Sequence, residues 1–234
     1  MNDLSESLKK IRDYTQENEE LLKCHHFLFN GIYEREKRKD LNGKADVIVM
    51  SLNPADTEPD WEYRKETPTE NSNEFDFHDY VEKISGSAKR WERKTKLFAQ
   101  DLFGYKINET AFFFWSSPQI GESKDKIKFS ERFGYKWKSK ECYDHFHFCK
   151  ERNLELIEYH EPKVILAPGI SDSAFFANIY EMRHMDTLMN NGQRIIEHYE
   201  LGKTPFIFTK HWTGARGFSK LQEEIIVNYL KSLL

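Results

Sequence analysis

Residues 45–56 read ADVIVMSLNPAD. Val47, Ile48, Val49 and Met50 are apolar on successive positions, and the run passes directly into Ser51, Leu52, Asn53 and Pro54. A strand that is apolar on consecutive rather than alternate positions is covered on both faces. That is the habit of a parallel strand in a sheet flanked by helices. Its end must bring the backbone back to solvent, and an Asn-Pro pair opens a turn there. The stretch reads as a first strand, 46–51, followed by a loop at the carboxyl edge of a sheet.

Three further strings share this character: TAFFFWS (110–116), KVILAPG (163–169) and PFIFTK (205–210). Helical stretches separate them. Residues 4–29 offer Ile11, Leu21 and Leu22 to a core, and 85–103 offer Trp91, Leu97, Phe98 and Leu102. Residues 139–160 stop before Pro162, and 171–180 begin at Ser171 as an N-cap. The tail 219–234 has Leu221, Ile225, Ile226, Tyr229 and Leu233 at helical spacing. The alternation predicts a three-layer α/β/α sandwich around a central, mainly parallel, four-stranded sheet. The whole chain, 1–234, reads as one domain with an N-terminal helical extension over about 1–40, and the polar stretch 56–80 as a loop or insertion over the site. In such folds ligands sit outside the carboxyl ends of the strands.

At 234 residues the chain is long enough to bury a core without disulfide or metal staples. Aromatic residues are 15% of it, so Phe, Tyr and Trp carry much of the burial. The formal net charge of -4 excludes a uniformly basic nucleic-acid binder and leaves room for a local basic face. The runs KRWERKTK (89–96), KDKIK (124–128) and YKWKSK (135–140) supply such local charge, partly interleaved with aromatics. The absence of a signal-type or membrane-length apolar run predicts a cytoplasmic protein with no membrane partner. Cys24, Cys142 and Cys149 are too few and too scattered for a disulfide framework. CYDHFHFC (142–149) puts Cys142, His145 and Cys149 along one helix face, but structural zinc sites join ligand pairs from separate segments, so no metal is expected. There is no G-x-S-x-G elbow, which argues against a serine hydrolase on this sheet.

Two strand-end loops carry the chemistry: SLNPAD (51–56) after the first strand and HWTGARG (211–217) after the last. Together with PKVILAPG (162–169) they resemble, in the same order, the motifs of the uracil-DNA glycosylase superfamily. The first is similar to the G-[ILM]-N-P-G motif of its mismatch-specific and single-strand-selective branches, and the second to H-P-S-P or N-P-S-G. The resemblance spans roughly residues 44–217 and implies a uracil-DNA glycosylase-like fold and a cofactor-free, monofunctional enzyme that flips a base out of DNA and hydrolyses its N-glycosidic bond. It implies that Asn53 holds the attacking water and that His211 donates a hydrogen bond to the departing base. Asp56 is a nearby carboxylate able to serve as base or electrostatic partner. Lys210, Thr213, Gly214 and Arg216 would contact DNA.

Two departures from the family bear on the substrate. Trp212 stands where Pro is usual, and Ala215 is smaller than the usual wedge. AFFFWSSP (111–118) has no Asn to read the edge of uracil. Phe112, Trp115 and Ser116 occupy that region, and Trp61 and Tyr63 are further candidates for stacking on a base. The substrate expected is therefore a damaged or modified base rather than plain uracil, a hypermodified pyrimidine of foreign DNA among them. Repair and defence both remain open, and the chain is expected to be a monomer. The competing reading is a non-catalytic module that binds nucleic acid or a modified base on the same fold.

Overall fold

The computed structural model describes residues 4–23, 44–53, 87–104, 106–115, 117, 129–212 and 218–233. The chain packs as two units, each assembled from separated stretches. One comprises Gly43–Leu52, Val81–Glu109 and His160–Leu234; the other comprises Met1–Asn42, Asn53–Tyr80 and Thr110–Tyr159.

The first unit holds the sheet. Its strands are β1 (Val47–Ser51), β2 (Ile107–Ala111), β3 (Val164–Pro168), β4 (Arg183–Asn190), β5 (Gln193–Leu201) and β6 (Thr204–Thr209). The last two residues of β2 belong to the other unit. The strand order is β2-β1-β3-β6-β5-β4. β1, β3 and β6 are mutually parallel. The consecutive apolar runs behave as their composition requires: every residue of β3 is buried, as are Val47 to Met50 of β1 and Phe206 to Thr209 of β6. The α/β class holds. The four-stranded, mainly parallel sheet does not: among the described residues the sheet has six strands, and β5 runs antiparallel to β6 and β4 antiparallel to β5.

The added pair is a hairpin closed by Asn191-Gly192, with φ of 49° and 71°. Two positive φ values in a two-residue loop match the right-handed twist of the strands, and Asn-Gly is the pair that adopts them at least cost. β4 is the sheet edge, and its register shifts at His184/Asp186 and Leu188/Met189. Bulges and charges of this kind blunt an edge against pairing with another chain.

The second strand also moves. It is INETA (107–111), not TAFFFWS, and Phe112 to Phe114 follow it as buried, non-strand residues. Asn108 and Glu109 are buried within it, so polar side chains masked its continuity in the sequence. Asn108 pairs with His160 Nε2, while His160 Nδ1 accepts from the Ala45 N–H at 2.9 Å. An accepting Nδ1 leaves the proton of a neutral imidazole on Nε2, so the Asn108 carboxamide must present its oxygen there.

Helices α1 (Leu4–Glu17) and α2 (Ser87–Thr95) fall in different units. α2 lies in the sheet unit and runs on through a π-helical stretch, Lys96–Gln100, and a last turn, Asp101–Phe103. Lys220–Lys231 forms the C-terminal helix of the same unit, opened by a capping box in which Ser219 and Gln222 satisfy each other's backbone N–H. The helix expected from Ser171 is divided: Ile170–Asp172 is a 3-10 turn, the helix proper is Ser173–Ile179, and Ser171 donates to Asp172 rather than capping it. No helix among the described residues is long and apolar enough to cross a membrane.

The second unit packs α1 with a short helix, Phe129–Phe133, and a long one, Lys140–His160, whose last residue belongs to the sheet unit. Its core is aromatic. Phe113 meets Phe129, Phe133 and Phe146 with centroids 5.3, 5.2 and 5.8 Å away, each edge to face. That arrangement suits the ring quadrupole. Asn153 is fully buried and ties the end of β2 to the long helix. It accepts from Thr110 Oγ1 at 2.7 Å and donates to the Ala111 carbonyl at 2.9 Å. The expected first helix ends at Glu17; a 3-10 turn, Leu21–Lys23, follows, and the remainder of 4–29 lies outside the described residues.

Candidate functional site

In the sheet unit Val49, Leu166 and Ile207 stand in one row of the parallel strands. β1, β3 and β6 each end two residues later, at Ser51, Pro168 and Thr209, so all three finish at one edge. Close packing holds this edge. Gly169 N–H donates to the Thr209 carbonyl at 2.9 Å, and a Cβ at Gly169 would stand 2.7 Å from Leu52 Cδ2. Any other residue at 169 would have to displace Leu52, the residue that leads into Asn53.

His211 follows β6 by two residues and keeps an exposed surface. Desolvation on its packed side nevertheless holds its pKa below the ordinary histidine value. The imidazole is therefore neutral near pH 7, with one N–H to donate and one nitrogen to accept. Trp91 of α2 lies beside it, centroids 6.2 Å apart. Trp212, the next residue, is 2% exposed. Its indole N–H donates to Thr209 Oγ1 at 3.0 Å, and its ring packs on Trp91 at 4.9 Å and on Phe98 at 5.8 Å. Trp212 is thus a buried anchor just beyond the end of β6. Lys210 donates to Gln193 Oε1 at 2.8 Å and reaches Gln222 Oε1 at 3.5 Å.

Asn53 belongs to the second unit, and so does its partner. Its Nδ2 donates to Ser117 Oγ at 2.9 Å. Ser117 is buried, so this bond is shielded from competing water. With the amide nitrogen engaged, the carboxamide oxygen is the end able to accept from a water molecule. In the same unit Trp115 is 1% exposed and donates its indole N–H to Thr15 Oγ1 at 2.9 Å, with Tyr14 at 5.8 Å and Phe113 at 5.3 Å. Phe112 is equally buried. Both rings are interior packing in this conformation. Asp56, Trp61, Tyr63, Ser116, Thr213, Gly214 and Arg216 lie outside the described residues.

The helical Cys/His cluster is also interior. Burial pushes the Cys142 thiol up to about 12 and Cys149 well above its usual value. His145 Nδ1 pairs with the Tyr14 hydroxyl at 3.0 Å, and Nε2 with Glu20 at 3.2 Å. Of the basic runs, KRWERKTK does not present all its charges outward: Lys94 is 3% exposed and is paired, like Arg93, with Glu223.

Ser117, Trp91 and Glu109 escape a reading of the sequence as the surroundings of Asn53 and His211. Ser117 follows Phe112–Trp115, and its place near the end of the second strand is the one local signal for it. No model of a known protein family matches this chain, and no curated protein matches it significantly.

Three histidines give the protein an acid-sensitive stability. Burial lowers the pKa of His145, His198 and His211. For His198 the cause is visible: if Tyr229 donates its hydroxyl to Asp186 at 3.2 Å, Nδ1–H of His198 donates to Tyr229 at 2.9 Å, and buried Nε2 has no acceptor among the described residues for a second proton. A histidine with a lowered folded pKa binds fewer protons folded than unfolded. Its stabilisation is complete above the unfolded value of 6.5 and is lost as pH falls through the folded midpoint. Glu155, Glu197 and Glu223, whose pKa values are also lowered, add a second loss below 4.5. The urea midpoint is expected to fall between about pH 7 and 5 and more steeply below about 4.5. A midpoint constant down to about pH 5 would contradict the burial of these imidazoles.

Proposed function

We propose that the protein is a DNA glycosylase of the uracil-DNA glycosylase-like kind, acting on a damaged or modified base. The observation that carries this is the single row in which β1, β3 and β6 end, with SLNPAD leaving the first and HWTGARG the last. In this reading β2, β1, β3 and β6 are the part of the sheet that corresponds to the family, and the β4–β5 hairpin is an addition to it.

The reaction breaks the bond between C1′ and the base nitrogen. Positive charge grows on the sugar and negative charge on the base. Asn53, steadied by Ser117, accepts a hydrogen bond from the water and aims its oxygen at C1′. Asp56 takes the proton that this water releases. The neutral imidazole of His211 donates its N–H to the base as it leaves with the bonding electron pair. The products are a free base and an abasic site, and no cofactor is required. Lys210, Thr213, Gly214 and Arg216 hold the DNA backbone. The missing amide in AFFFWSSP supports a modified base over plain uracil, and the protein acts as a monomer in the cytoplasm.

The test is incubation with duplexes and single strands bearing uracil, hypoxanthine, mismatches or hypermodified cytosines, followed by alkali. Breaks at one modified base are expected, reduced about 10²- to 10³-fold in His211→Ala and comparably in Asn53→Ala. Tight binding with no breaks on any substrate would replace the glycosylase by a binding module that has the same fold.

A further inference from the structure

We infer that Trp91, held in place by Glu109, positions the imidazole of His211. Trp91 lies in α2, and its indole N–H donates to Glu109 Oε1 at 3.1 Å. Glu109 is a buried residue of β2, so the acceptor is carried on the sheet rather than on a loop. The indole also packs on Trp212, with centroids 4.9 Å apart and planes tilted at 47°, and Trp212 is itself tied to Thr209 at the end of β6. The ring is thus fixed at its nitrogen by one strand and by its contact with Trp212 beyond the end of another. Turning it would break a buried hydrogen bond and open the contact with Trp212.

His211 is the neighbour this ring was left to meet. The two centroids are 6.2 Å apart and the planes tilt at 53°. An imidazole on a segment leaving a strand can swing with that segment unless something rigid stands against it. Trp91 is such a body, apolar and doubly anchored. A large apolar ring at this place is consistent with the direction of the His211 pKa, which is lowered by desolvation. The Glu109 carboxylate accepts from the indole N–H.

Trp91 is a positioning residue, and its importance for catalysis rests on the glycosylase reading. Its effect on His211 does not. The experiment follows the imidazole resonances of the full chain between about pH 5 and 8, with His211 assigned by its disappearance in His211→Gln. The wild-type His211 midpoint is expected below 6.5. Trp91→Leu should bring it back to about 6.5, the solvated value. Trp91→Phe keeps a ring but loses the bond to Glu109, and should move it part of the way. Glu109→Gln keeps an acceptor for the indole and should leave it unchanged. On a cleaved duplex, Trp91→Leu should lower kcat by about 10- to 100-fold with KM little altered.

A folded Trp91→Leu protein with the wild-type midpoint would overturn the inference. Should that variant be unfolded, an unchanged midpoint in Trp91→Phe overturns it equally. A midpoint that moves in a protein that excises no base would retain the positioning and remove the glycosylase reading. Base excision together with an immobile midpoint would do the reverse.

Discussion

Glu223→Ala is expected to destabilise the protein by about 3–5 kcal/mol, the cost of leaving a buried charge without its partner. The charge is the ammonium of Lys94, whose side chain is 3% exposed. It lies 4.6 Å from the centre of the Phe218 ring and 5.3 Å from that of Phe98, which stabilise a cation weakly, and it is paired with the Glu223 carboxylate in the first turn of the C-terminal helix. Burial lowers the Lys94 pKa even with the carboxylate present, so removing Glu223 leaves the ammonium to lose its proton or pull toward water. Arg93 also grips Glu223, with nitrogen to oxygen distances of 2.7 and 3.1 Å, but it is 59% exposed and its own contribution is small. The decisive comparison is therefore with Lys94→Met. Combined with Glu223→Ala it removes the stranded charge, and the double variant should be more stable than Glu223→Ala alone in urea. A loss under about 1 kcal/mol in the single variant would mean that Lys94 reaches solvent.

Phe113→Ala is the second large effect, also about 3–5 kcal/mol, for it empties the middle of an aromatic core. Phe113 is fully buried. Besides Phe129, Phe133 and Phe146 it touches Trp115 at 5.3 Å and Trp137 at 5.9 Å. These rings come from three segments of the helical unit, and Phe113 is their common neighbour. Such a cluster cannot close over a lost phenyl without moving several large rigid groups. Phe113→Leu retains most of the volume and should cost about 1.5 kcal/mol or less. Equal urea midpoints for the Ala and Leu variants would show that the rings close over the space instead of leaving a cavity.

Both predictions concern partners that no local pattern joins. Lys94 stands in KRWERKTK, a run that reads as a solvated basic face, and its partner is 129 residues away. Phe113 reads as the centre of a strand, and it is instead the first large packing element after one. The strand itself, INETA, was hidden by Asn108 and Glu109, whose burial is made tolerable by partners such as His160 and Trp91. The β4–β5 hairpin was more accessible. Its Asn191-Gly192 turn is a strong local signal, but the flanking strands are heavily polar and β4 is largely exposed, so no apolar string marked them.

The parallel strands β1, β3 and β6, the helices that separate them and the start of the last helix near Ser219 are written locally in the chain. They arise from short-range physics: consecutive apolar residues report burial on two faces, and a capping box satisfies donors three residues apart. The positions of Asn53 and His211 just beyond strand ends are legible in the same way, since a strand's end is local too. Their contacts exist only in the folded chain. Ser117 holds Asn53 across 64 positions of sequence, and Trp91, fixed by Glu109, stands against His211. Such contacts arise when folding brings distant segments together, and their energy depends on burial and angle that no residue carries alone.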